Sequence, residues 1–65
     1  MFEAVFAVVD PKEINFLNRV MEGYEYLGVV TTIDRQGLVL IRVTPDTFQD
    51  VIDILLTLPI AVQIV

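Results

Sequence analysis

Apolar and polar positions follow two different periods along the chain, and the changes of period mark six elements. Residues 2–9 (FEAVFAVV) are apolar but for Glu3, rich in Val and Phe, and too short for an independent helix, which reads as a buried central strand. Asp10-Pro11-Lys12-Glu13 follows. Asp10 is placed to cap a helix, Pro11 fits the first helical position, where its missing N–H costs nothing, and Glu13 completes a capping box. Ile14, Leu17, Met21 and Tyr24 then recur at spacings of three and four, widened by Phe16 and Val20, with Asn15, Asn18, Arg19 and Glu22 opposite. Gly23 reads as the left-handed residue that ends this helix, and Gly28 as the end of the loop behind it.

Residues 29–34 (VVTTID) and 38–43 (LVLIRV) are β-branched runs joined by Arg35-Gln36-Gly37, which predicts a hairpin with Gly37 at positive φ. Thr44-Pro45-Asp46 repeats the cap-plus-proline signal. Phe48, Val51, Ile52, Leu55 and Leu58 form a second apolar stripe, with Gln49, Asp50 and Asp53 opposite. Pro59 stops that helix, and residues 60–65 (IAVQIV) read as a last strand. Laid over one another, the halves match Asp10-Pro11 with Thr44-Pro45 and one apolar stripe with the other, so the chain is two β-α-β units. The compact solution is a single α+β domain over residues 1–65. It is a two-layer sandwich of ferredoxin-like β-α-β-β-α-β order, whose four-stranded antiparallel sheet (order 4-1-3-2) carries both helices on one face.

Two helices cover one side of such a sheet, so the other side should alternate to polar residues if it met water. It does not. One parity class of the central strands is Phe2, Ala4, Phe6, Val8 with Leu38, Leu40, Arg42; the other is Glu3, Val5, Ala7, Val9 with Val39, Ile41, Val43. The β-branched class is the better partner for helices, which assigns Phe2, Phe6, Leu38 and Leu40 to an open, interface-forming face. With 55% hydrophobic residues and a mean hydropathy of +0.71, the chain has more apolar surface than a core of this size hides. A homo-oligomer is expected, a dimer first. It forms either by packing of open faces or by pairing of the edge strands 29–34 or 60–65 across copies. A third reading makes the open face the docking surface for a different protein.

Charge and chemistry narrow the function. Nine acidic against four basic residues give a net charge of −5, and Lys12, Arg19, Arg35 and Arg42 are scattered, which disfavours nucleic acid. No run is long enough to span a bilayer and the start lacks the features of a signal peptide, so no membrane is expected and the expected compartment is the cytoplasm. The chain contains no His, Cys or Ser, which removes the usual general base, thiolate and triad hydroxyl and argues against an enzyme; no cofactor or metal is implied. Asp46/Asp50 and Asp50/Asp53 have helical spacings at which a hard cation can bridge carboxylates, but a solvated acidic face is the plainer reading. A small carboxylate ligand, such as an amino acid, would bind best at the first helix start, where Asp10, Lys12 and Glu13 stand, with Arg42 as a further cation. Asp10 capping those N–H groups, and Arg42 paired with Glu3 or across an interface, are the competing uses. Tyr24 and Tyr26 read as packing the helix end with their hydroxyls in water.

The element order, with Asp10-Pro11 at the first strand-to-helix turn, resembles the ACT-type regulatory domain over nearly the whole chain. That resemblance implies amino-acid binding between paired domains. Ligand-binding ACT domains usually place a glycine just after the proline region, where Lys12 and Glu13 stand here. The segments VDPKEINFLN and IRVTPDTF also resemble short stand-alone bacterial proteins of this type without assigned function. The implied roles are a regulatory or scaffolding module, or an amino-acid sensor acting at a subunit interface.

Overall fold

The structure is a computed structural model and describes residues 3–65. Strand β1 (Glu3–Val9) leads through one 3-10 turn (Pro11–Glu13) into helix α1 (Ile14–Glu22). Strands β2 (Val29–Thr32) and β3 (Leu38–Val43) form the hairpin, and helix α2 (Phe48–Thr57) leads to strand β4 (Val62–Ile64). The sheet is wholly antiparallel in the order β2-β3-β1-β4, the expected 4-1-3-2 read from the other edge. This is the α+β sandwich that the two repeated units imply.

Parity decides the core. Val5, Ala7 and Val9 of β1 and Val39, Ile41 and Val43 of β3 are each at most 3% exposed and pack with Leu17 and Met21 of α1 and Val51 and Leu55 of α2. The small β-branched class therefore faces the helices, because short, stiff side chains let the helices approach the pleated surface closely. Among the described residues no polar or charged residue is buried. The Cα radius of gyration, 10.6 Å, matches the ~11 Å of a compact domain of this length.

Local chemistry sets the ends of the elements, and several differ from expectation. The Asp10 carboxylate accepts the Lys12 N–H at 3.1 Å. Glu13 N–H turns back to the Asp10 carbonyl at 2.8 Å, so the first turn is 3-10 and the Glu13 side chain makes no cap bond. The expected capping box is replaced by this tighter turn. Gly23 closes α1 in the right-handed region (φ −71°), not the left-handed one. The following residues continue turning, with Tyr24 N–H donating to the Met21 carbonyl at 3.0 Å.

Strand β2 stops at Thr32 rather than at residue 34 because Asp34 folds the turn, accepting the N–H groups of Gln36 (2.8 Å) and Leu38 (3.2 Å). Gly37 takes φ +107° as expected, and its carbonyl accepts the Val9 N–H at 3.0 Å. At the start of α2, the Thr47 hydroxyl accepts the Thr44 N–H at 3.1 Å, while Thr47 and Phe48 N–H groups reach the Thr44 carbonyl. Thr44 thus begins the turn, although regular helix starts only at Phe48. Strand β4 is shorter than residues 60–65, though Val65 N–H still donates to the Phe6 carbonyl at 2.9 Å.

Candidate functional site

The helix-free face of the sheet is built from one parity class: Ala4, Phe6 and Val8 on β1, Leu38, Leu40 and Arg42 on β3, Val29 and Thr31 on β2, and Gln63 on β4. Phe6 is directly opposite Leu40, and Val8 opposite Leu38. Phe6 remains 42% exposed and Val29 58%, while Val8, Leu38 and Leu40 are half-buried by their neighbours in the sheet. The predicted interface residues Phe6, Leu38 and Leu40 therefore share this face, and Phe2 lies outside the described residues. Thr31 and Gln63 stand on the edge strands, Phe6, Val8, Leu38 and Leu40 occupy the middle, and Val29 extends the apolar surface to the β2 edge. Val29 and Thr31 were not foreseen there, although the alternation of β2 against β3 places them there once the hairpin register is known.

Arg42 is the one charged strand residue on this face, beside Ala4 and Val29. Its expected partner Glu3 pairs instead with Val43 and has the parity of the helix side. An Arg42–Glu3 ion pair within the subunit is thereby overturned, since successive side chains point to opposite faces. Nor is Arg42 near the first helix start. Ala4, its partner, is six residues along the chain from Asp10, about 20 Å at strand rise.

Asp10 and Lys12 do come together, but with each other: Lys12 Nζ lies 3.9 Å from Asp10 Oδ2, the Asp10 carboxylate also holds the Lys12 N–H, and Glu13 joins them only through its backbone N–H to the Asp10 carbonyl. Both side chains are well exposed, so this pair adds little stability. On α2, Asp53 accepts Gln49 Nε2 at 2.9 Å rather than facing Asp50. Among the described residues no three acidic side chains gather as a metal site. Tyr24 and Tyr26 sit with ring centroids 6.4 Å apart at the end of α1, Tyr26 being 74% exposed.

Two open grooves flank the outer edge of β2. On the helix side, a groove of about 300 Å³ runs between Asn18, Met21, Glu22 and Glu25 and the strand residues Val30 and Thr32. On the open-face side, one of about 320 Å³ is bounded by Glu25, Tyr26, Val29, Thr31 and Arg42. Nothing in the one-dimensional pattern marks either, because each joins the loop at 23–28 to a strand edge across the fold. No helix among the described residues is long and apolar enough to cross a membrane.

Fold and surface together define a small ferredoxin-like sandwich with one apolar sheet face that the helices leave uncovered. Residues 8–62 match the family described as Domain of unknown function (DUF4911), and the chain belongs to it. No curated protein and no solved structure gave a significant match.

Proposed function

We propose that the chain is a non-catalytic, self-associating, ACT-like regulatory or scaffolding module, a homodimer formed by packing helix-free faces and made to hold or regulate a partner protein in the cytoplasm. The supporting observation is the face itself, with Phe6, Val8, Leu38 and Leu40 in its middle and a single charge, Arg42, towards one end. Nine acidic residues give the molecule its negative charge, yet none stands among the strand residues of this face. Strands of seven, four, six and three residues, about 4.8 Å apart with a rise of about 3.3 Å per residue, present about 300 Å² of planar surface before side-chain relief is counted. That is less than the about 800 Å² per partner that specific complexes bury, so side-chain relief and the rim must add to it and the association is a weak, concentration-dependent one.

The amino-acid sensor reading has less support. At the first helix start the Asp10 carboxylate already occupies the Lys12 N–H and opposes an incoming anion. The deciding experiment is light scattering with thermal melting across a hundredfold range of concentration, together with an amino-acid panel. Self-association predicts a dimer mass and a melting temperature that rises with concentration, with no response to amino acids. A monomer whose melting temperature ignores concentration removes the reading.

A further inference from the structure

Antiparallel pairing fixes which backbone groups of β2 are free. Val9 N–H bonds to the Gly37 carbonyl, and in this register Val39, Ile41 and Val43 turn their backbone groups to β1. Leu38, Leu40 and Arg42 therefore turn theirs to β2, in agreement with the Ile33 N–H that donates to the Leu38 carbonyl at 2.9 Å. Their partners on β2 include Thr31 and Val29. The N–H and C=O groups of Val30 and Thr32 consequently point outward, along an edge where no further strand pairs among the described residues.

Natural sheet edges are usually blunted by lysine, proline, a bulge or a covering segment. The strand Val-Val-Thr-Thr has none of these residues and is flanked on both faces by grooves. The grooves differ in chemistry. The helix-side groove carries two carboxylates, Glu22 and Glu25, and no basic residue. The open-face groove shares Glu25 but sets Arg42 against it, and is apolar at Val29 and Tyr26.

We propose that the β2 edge, with its two flanking grooves, is a docking site for an extended segment of another protein. That segment adds as a fifth strand, with basic side chains at one parity over Glu22 and Glu25 and apolar side chains at the other over Val29 and Tyr26. Strand addition supplies the main-chain hydrogen bonds, and side chains falling alternately into two unlike grooves supply specificity. A second copy is the poorer occupant. Its own β2 would bring a further pair of carboxylates to the same side of the joined sheet, between two chains each at −5. The added strand lies in the plane of the sheet and leaves Phe6, Leu38 and Leu40 free, so the site does not rest on the self-association proposed above.

The test uses the full chain with two end-blocked, fluorescein-labelled hexapeptides, one alternating lysine and valine, the other glutamate and valine. The lysine peptide is expected to bind by fluorescence anisotropy and to slow amide exchange at Val30 and Thr32. The glutamate peptide should bind at least about tenfold more weakly, as should the lysine peptide on E22Q/E25Q. Thr32→Pro removes an outward N–H at an edge position that tolerates proline, and should abolish binding without changing the fold. The proposal is overturned if neither peptide binds, if both bind equally, or if Val30 and Thr32 exchange at an unchanged rate in the bound state. It is also overturned if those amides are already protected, in step with protein concentration, before any peptide is added, because a second copy then holds the edge.

Discussion

Replacing Leu40 by glutamate separates the stability of one subunit from the association of two. Leu40 is half-buried in mid-face, opposite Phe6 on β1 and Thr31 on β2. In a lone subunit a carboxylate at this position reaches water, and the loss is the cross-strand pair with Phe6, about 0.2–1 kcal/mol. In a face-to-face dimer the same change puts two carboxylates, one from each copy, between sheets about 10 Å apart, with Arg42 two residues along as the one cation of the strand face and the Thr31 hydroxyl as the neighbouring neutral donor.

Even at about 2 kcal/mol per carboxylate, well below the full cost of an unpaired buried charge, the dimer loses about 4 kcal/mol, or about a thousandfold in Kd. A dimer of micromolar Kd becomes millimolar. Sedimentation velocity with urea unfolding reads both quantities: Leu40→Glu should sediment as a monomer at concentrations where the parent is dimeric, while the monomer unfolds within about 1 kcal/mol of the parent. Undiminished assembly by Leu40→Glu would show that the helix-free face is not where copies meet.

Gly37→Ala should be the most destabilising single methyl in the chain, because a Cβ there would stand 1.8 Å from the Val9 carbonyl oxygen at φ +107°. The turn must move off β1 and strain its backbone, a loss of about 2–4 kcal/mol by urea unfolding, and a loss below 1 kcal/mol would contradict the geometry. Thr47→Val deletes the hydroxyl that accepts the Thr44 N–H. It should lower stability by about 1 kcal/mol and leave Kd for self-association unchanged.

The fold was legible because its signals are local. Asp10-Pro11 and Thr44-Pro45 open the two helices, Gly37 closes the hairpin, and Pro59 ends α2, each through backbone chemistry within a few residues. Residue size also told which strand class meets the helices, since Val5, Val39, Ile41 and Val43 are the branched set and are the ones buried. The misreadings lie where a local rule competes with a neighbouring one. Asp34 has the position of a strand residue, yet its carboxylate gains more by gathering two turn N–H groups. Gly23 is free to be left-handed but stays right-handed, because the chain continues to turn through Tyr24. Arg42 and Glu3 are neighbours in register, but one residue of offset puts them on opposite faces. The grooves beside β2 join residues that only the fold brings together, so no spacing announces them.

The two proposed surfaces differ in one physical respect that a single variable exposes. Packing of helix-free faces joins two chains that each carry −5, through residues that are nearly all uncharged. Long-range repulsion opposes that encounter, and salt, with a Debye length of about 8 Å at physiological strength, screens it. Strand addition at β2 is drawn by opposite charge at Glu22 and Glu25, and the same salt screens that attraction. Raising ionic strength from about 0.05 to 0.5 M should therefore tighten self-association and loosen binding of the lysine-valine peptide, both followed in one titration series. If the two affinities moved in the same direction, one surface would be serving both roles, and the division of labour between an uncharged face and an acidic edge would be wrong.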